Sequence, residues 1–257
     1  MKKAVLLAAY GSTEEKNAMH LGSFETMVRA HLPGYSIRWA FTSMLMRNRL
    51  AAARKKTDSV KKALCRLGFE KFSQITVQSL HIIPGSEYED MLAEIKQAQA
   101  EGAPADISVG IPLLGDQQDL AQAAEAVCGN RPELAGPDDA IIWVGHGTSH
   151  QGNSSYQALT DAVQKHDSRI FIGTLEDGIE PLWEQLCAKQ IKKAWLMPLL
   201  AVVGRHAAQD IAGAVPQSWK SRLSEKGIEC IPVTRGIVEY PDFTEIWLRH
   251  LLNARKI

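Results

Sequence analysis

Short runs rich in apolar residues alternate along this chain with longer stretches of helical period. The first runs cover Lys3 to Ala9, Ser36 to Phe41, Gln74 to Ser79 and Asp106 to Gly110, each ending in small or turn-forming residues. Runs of that length predict buried strands, and the helical stretches between them predict crossover helices. A second set follows at Asp139 to Val144, Arg169 to Thr174, Lys192 to Pro198 and Glu229 to Pro232. The pattern predicts an α/β fold in which one unit, a parallel sheet flanked by helices, is used twice.

Turn chemistry places the joint. Gly129 to Asp139 carries Pro132, Gly136 and Pro137 and reads as a linker, which divides the chain into lobes at residues 1–130 and 131–257. Beyond the last strand, Phe243, Ile246, Trp247, His250, Leu251 and Leu252 recur with helical spacing. They predict a terminal helix over about 241–256 that braces the two lobes.

The two halves align. Tyr10-Gly11-Ser12 falls on His146-Gly147-Thr148, the small-residue exit of each first strand. Leu80 to Glu87 falls on Leu199 to His206, so Glu87 matches His206 just as Tyr10 matches His146. Open parallel sheets bind ligands beyond the carboxyl ends of their strands, where all four residues lie. The expectation is an internal pseudo-symmetry with an active-site cleft between the lobes.

Composition narrows the partners. A chain of 257 residues suits two small cores better than one large one. Lys plus Arg equals Asp plus Glu at 29 each, so no net field draws the chain to nucleic acid or to an anionic membrane. An anionic ligand would have to meet a local cluster. Arg47, Arg49, Arg54, Lys55 and Lys56 form one after the second strand, and Arg205 adjoins His206. These cations read either as a solvated helix face or as a collar for carboxylates. Cys65, Cys128, Cys187 and Cys230 are far apart and form no C-x-x-C pair, as expected of reduced thiols in a cytoplasmic protein. Lys2, Lys3 and the apolar run to Ala9 fit a buried first strand better than an export signal, since Tyr10 and Gly11 interrupt the run. No stretch of about 18 apolar residues predicts a membrane span. Assembly into a homo-oligomer stays open.

His146 stands between two glycines at a strand exit, where backbone can approach a flat ligand closely. His206 stands where an apolar run ends at Gly204 and a helix begins, with Asp210 one turn on. Glu87 opens another helix, where Ser86 fits a cap and Glu87, Glu89 and Asp90 fit first-turn acids. Singly, each fits a structural role. Together, two imidazoles and a carboxylate at equivalent positions form a ligand set suited to Co²⁺, Ni²⁺, Fe²⁺ or Zn²⁺. His150 reads as a supporting or capping group, and His81, at the end of the third strand, as a further lining residue. The loop at Gly145 to His150 lacks the third glycine of a dinucleotide fingerprint, and neither a P-loop nor a G-x-S-x-G elbow is present.

Ala-Phe-Thr-Ser at residues 40–43, Gln78-Ser79-Leu80-His81-Ile82-Ile83, Gly145-His146-Gly147, Met197-Pro198-Leu199 and Ser218-Trp219-Lys220 occur in an order that resembles the class II chelatases. That family includes ferrochelatase and the sirohydrochlorin cobalt chelatases of the anaerobic cobalamin pathway. The resemblance runs nearly end to end. It implies two Rossmann-like lobes and ATP-independent insertion of Co²⁺ into sirohydrochlorin or precorrin-2, with cobalt as the substrate and no organic cofactor. It also implies metal ligation by His146, His206 and Glu87, with His146 and Glu87 handling protons. Tyr10, Gly11, Ser12, His81, Ser86, Gly147, Thr148 and Arg205 are then candidate contacts of the tetrapyrrole. An iron or nickel chelatase on the same fold, or a non-catalytic metal or haem carrier, are the alternatives.

Overall fold

The computed structural model describes residues 1–257 apart from His206. It divides into two compact units, one formed by Met1–Gly115 with Thr244–Ile257 and the other by Asp116–Phe243.

The first unit is built on β1 (Lys2–Ala9), β2 (Ser36–Phe41), β3 (Phe72–Ser79) and β4 (Asp106–Gly110), with α1 (Glu15–His31), α2 (Met44–Ala52), α3 (Val60–Phe69) and α4 (Ser86–Ala100) between them. The strand order is β2-β1-β3-β4, all parallel, and a two-residue β9 (Arg255–Lys256) adds an antiparallel edge to β4. Val5, Leu6, Leu7 and Ala8 are all fully buried, which explains the continuous apolar run of β1 in place of an alternating one. Ala4, Leu6 and Ala8 share one core with Val60, Leu64 and Leu67 of α3 and with Met91 and Ile95 of α4.

The second unit repeats the plan. It holds α5 (Gln117–Gly129), β5 (Ala140–Gly145), α6 (Ser154–Val163), β6 (Ile170–Thr174), α7 (Glu180–Ala188), β7 (Lys193–Pro198), α8 (Arg205–Ala212), α9 (Trp219–Glu225) and β8 (Glu229–Pro232). Its sheet runs β6-β5-β7-β8, all parallel, which is the same order counted from its own first strand. Ile142, Val144 and Leu196 pack with Leu182, Leu186, Ile211, Trp219 and Leu223. At the start of α5, Asp116 and Asp119 cap each other's backbone in a reciprocal box, with Asp119 fully buried.

Packing groups α5 with the second unit, because α5 lies on α6. The compact division therefore falls at Gly115 and Asp116, ahead of the turn-rich segment near residue 130. The terminal helix α10 (Pro241–Leu252) starts in the second unit and continues in the first. Phe243 stacks edge-on against Trp143 and Tyr240, and Trp247 against Phe24. The helix stops short of residue 256 because the chain turns after it into β9. Leu252, predicted on the apolar stripe, is half exposed at that last turn.

Candidate functional site

A parallel sheet ordered 2-1-3-4 reverses its winding beside the first strand, and loops leaving that place diverge enough to admit a ligand. Both units build this place from the same backbone bonds. Leu80 N–H donates to Ala8 O at 2.8 Å, and Leu199 N–H donates to Val144 O at 2.9 Å. Ser43 N–H reaches Tyr10 O at 3.3 Å, and Glu176 N–H reaches His146 O at 3.0 Å. Leu113 and Leu114 pair with His81 and Ile82 as Ile237 and Val238 pair with Leu200 and Ala201. The halves thus correspond bond for bond, with Tyr10 at the place of His146.

Each loop needs its glycine. Gly11 has φ +102° and Gly147 has φ +82°, a region that side chains rarely adopt. A Cβ on Gly147 would also stand 2.6 Å from Glu176 Cβ and 2.7 Å from Thr174 Oγ1, and one on Gly11 would press on the Phe41 ring at 3.0 Å. The next residue organises the turn. Ser12 Oγ accepts from Glu14 N–H and from Asn17 Nδ2, while Thr148 Oγ1 accepts from His150 N–H and Thr148 N–H donates to Asn153 Oδ1. Asn17 and Asn153 occupy matching places, a repeat that the alignment of the halves contains and that sequence reasoning overlooked.

In the second unit, His146 is exposed at the end of β5, its Nδ1 3.2 Å from the carbonyl oxygen of Gly147. Glu176 lies beside it on the turn after β6, also exposed. That turn is locked by Thr174 Oγ1 donating to Asp177 Oδ2 at 2.6 Å, by Asp177 N–H donating back at 3.1 Å, and by a bridge between Thr174 and Gly178. Thus an imidazole and a carboxylate share one strand-end ledge. Glu176 was missed because its counterpart after β2 is Ser43, a helix cap, so no residue type repeats there. Extending the alignment of halves through the second strand would have found the position.

Two further groups support this ledge. Tyr156 is buried with its ring packed close against Gly145, and burial pushes its phenol up to about 12. His150 does not share a helix face with His146, since the chain stays irregular until a short 3₁₀ turn at Gln151–Asn153. Its Nδ1 instead accepts from Gly152 N–H at 3.0 Å, a capping role.

In the first unit, Tyr10 is 45% exposed at the end of β1. His81 is partly buried, with Nδ1 2.8 Å from Ser79 Oγ and Nε2 3.2 Å from Thr42 Oγ1. Burial lowers its imidazole from the ordinary 6.5 to about 4, so the ring is neutral and ties the exits of β2 and β3 together. The cap of α4 is Gly85, with Ser86 as the first helical residue rather than the cap; Ser86 is exposed and Glu87 half buried on the first turn. The basic cluster separates into roles. Arg47 donates to the carbonyls of Phe41 and Thr42 and Lys55 pairs with Glu15, while Arg49, Arg54 and Lys56 are exposed.

Arg205 is exposed at the start of α8, and His206 lies outside the described residues. Among the described residues no three His, Cys, Asp or Glu side chains converge closely enough to hold an ion. The structure gathers Tyr10, Gly11, Ser12 and His81 around the strand exits of one unit, and His146, Gly147, Thr148 and Glu176 around those of the other.

Comparison with known proteins gives a consistent outcome. The sequence model of the cobalt chelatase (CbiK) family matches residues 3–256. The chain is 47% identical over 255 residues to the sirohydrochlorin cobaltochelatase CbiKC of Nitratidesulfovibrio vulgaris strain Hildenborough, covering 98% of this chain and 90% of that protein. It is 30% identical over 261 residues to the sirohydrochlorin cobaltochelatase of Salmonella typhimurium strain LT2, covering 99% and 97%. Its fold is similar to the sirohydrochlorin chelatase SirB of Bacillus subtilis subspecies spizizenii in complex with cobalt, with a TM-score of 0.68, 14% identity and coverage of 98% and 95%.

Proposed function

Because this chain belongs to the cobalt chelatase family, we propose that it inserts Co²⁺ into sirohydrochlorin, or into its less oxidised precursor precorrin-2, without nucleotide hydrolysis. The observation that carries the site assignment is the ledge at the ends of β5 and β6, where His146 and Glu176 stand on adjacent exits. An imidazole and a carboxylate are suited to a borderline ion such as Co²⁺. His206 and Glu87, which the alignment of the two halves of the sequence pairs, complete the proposed ligand set. Cobalt is the cargo here, and no organic cofactor enters the reading.

Metal entry requires the macrocycle to lose two pyrrole protons. His146 is exposed, and as a neutral imidazole it offers a lone pair first to the ion and then, as the ion enters the ring, to one pyrrole proton, while the Glu87 carboxylate relays the other to solvent. Glu176 and Glu87 carry negative charge that stabilises both the incoming cation and the protonated imidazole. On the other unit, the exposed Tyr10 ring and the Gly11 turn offer a flat, close-approach surface for the tetrapyrrole. Arg49, Arg54, Lys56 and Arg205 are exposed cations fit for its carboxylates. Four unpaired cysteines accord with a cytoplasmic location, which belongs to the same reading.

The test is anaerobic absorbance of the purified chain with sirohydrochlorin and Co²⁺, beside Fe²⁺ and Ni²⁺ and a control without protein. Cobalt-sirohydrochlorin formation well above the control, lost in His146→Ala, is the expected result. A rate equal to the control would overturn the chelatase reading, and tight metal binding without turnover would mark a carrier.

A further inference from the structure

The sheet of the second unit has four strand exits, and the ledge uses only those of β5 and β6. The exit of β8 is held at the same level. Val144 pairs with Pro198, so His146, two residues on, stands level with Leu200. Ile237 and Val238 N–H donate to the carbonyls of Leu200 and Ala201 at 2.8 and 3.1 Å. Gly236 presses so closely on this neighbour that a Cβ there would lie 2.8 Å from Ala201 O. The residue before it is Arg235. In the order β6-β5-β7-β8, β8 lies two strands from β5, so at the usual spacing of strands its exit runs about 10 Å from the His146 backbone.

Arg235 is oriented without being neutralised. Its guanidinium carbon lies 4.1 Å from the centre of the Tyr240 ring, and Nη2 donates to Glu239 O at 2.7 Å. Tyr240 is buried and packs edge-on against Trp143 and Phe243, so the stack rests on the core. The Glu239 carboxylate accepts from Gly236 N–H at 2.7 Å. Arg29, Arg66, Arg131 and Arg169, in contrast, each pair with a carboxylate. Arg235 is exposed, and a guanidinium carries five N–H donors, so the stack and one carbonyl bond aim the fork and leave donors for an incoming anion. The matching place in the first unit is Ile111, half buried, whose carbonyl accepts from Gln78 Nε2 at 3.1 Å. The cation therefore occurs only in the unit that carries the ledge.

We propose that Arg235 is a specificity-determining contact of the substrate, its oriented fork holding one peripheral carboxylate of the tetrapyrrole while the ledge addresses the centre of the ring. The inference rests on the reading of this chain as a sirohydrochlorin chelatase that presents its metal from His146. The geometry suits that division, because the carboxylates of such a macrocycle hang from its rim, well to the side of its central nitrogens. An exposed ion pair between two flexible partners contributes little. Here the stack and the bond to Glu239 O have already removed much of the arginine's freedom, so less is lost when a carboxylate binds. Arg235→Gln should raise the Kd for metal-free sirohydrochlorin roughly tenfold at low salt, and less as salt screens the pair. Arg235→Lys keeps the charge but loses the fork, and should recover part of the loss.

The decisive experiment is a cycle across protein and ligand, read by quenching of tryptophan fluorescence under anaerobic conditions. The full chain is titrated with metal-free sirohydrochlorin and with its methyl ester, as wild type, Arg235→Gln and Lys165→Gln. Lys165 is exposed on the turn that leads into β6, at the opposite end of the sheet, so its change removes an equal charge away from the exits. The expected result is about a tenfold loss in Arg235→Gln for the acid, less than about twofold for the ester, and no loss in Lys165→Gln. An equal loss for acid and ester, as a misplaced turn would cause, or a loss no larger than that of Lys165→Gln, would overturn the inference and leave the chelatase reading standing. Should Arg235→Gln not fold, Arg235→Lys is read in the same way. A wild-type chain that neither binds sirohydrochlorin nor converts it with Co²⁺ would overturn both.

Discussion

His81 offers the most quantitative test of the fold around the proposed site. Its ring is wedged between Ser79 and Thr42, and burial holds its imidazole near 4 against an ordinary 6.5. Below about pH 6.5 the unfolded chain takes up a proton that the native chain refuses. The contribution of the neutral, bonded ring is therefore present in full above the unfolded value and is lost as the pH falls toward the folded one. Two and a half units correspond to about 3 kcal/mol in the limit, and to ~2 kcal/mol by about pH 5. His81→Asn keeps a bonding group near Ser79 and removes the titration. Its urea midpoint, read by tryptophan fluorescence, should lie below that of wild type at about pH 7.5, and the gap should close or invert by about pH 5. A gap of constant size across that range would refute the reasoning, because it would mean that His81 binds a proton as readily in the native chain as in the unfolded one.

Two further substitutions test local geometry. Gly147→Ala places a side chain at φ +82° and 2.6 Å from Glu176 Cβ; the left-handed strain alone costs about 1–2 kcal/mol, so the urea midpoint should fall and cobalt insertion with it. Ser218→Ala removes a buried hydroxyl that donates to Gly213 O and caps α9 by accepting from Ser221 N–H; about 1–2 kcal/mol of stability should be lost with KM unchanged, as denaturation and steady-state kinetics would register.

Much of the fold is legible in the sequence, because buried parallel strands need continuous apolar runs and those runs are bounded by turn residues. The expected spans of β2, β4 and β8 coincide with the observed ones, and the remaining strands differ at their ends by one or two residues. β9 was not legible, since two residues carry no period; its pairing depends on β4 already being in place. The terminal helix was expected to run to about residue 256 and ends at Leu252, as a helix end is decided by the following turn and not by the stripe itself. At the site, aligning the halves located His146, Gly147, Tyr10 and Gly11, because the glycines must repeat wherever the backbone repeats. Glu176 and Tyr156 escaped. One sits where its counterpart is a serine, and the other meets the loop from a helix eleven residues downstream of Gly145, a contact with no signature in spacing.

The first unit is discontinuous, and this has a consequence for how the protein is made. Residues 244–257, which supply Trp247 against Phe24, the His250 ring on Ile111 O and the strand that covers the edge of β4, leave the ribosome only after every residue of the second unit. Synthesis proceeds at about 5–20 residues per second, so the earlier-born unit waits several seconds with an apolar patch and a bare strand edge, while the later-born unit already has its full sequence. The half of the molecule translated first is thus the last to be completed, and nascent-chain chaperones would be expected to engage it until β9, which follows α10, emerges.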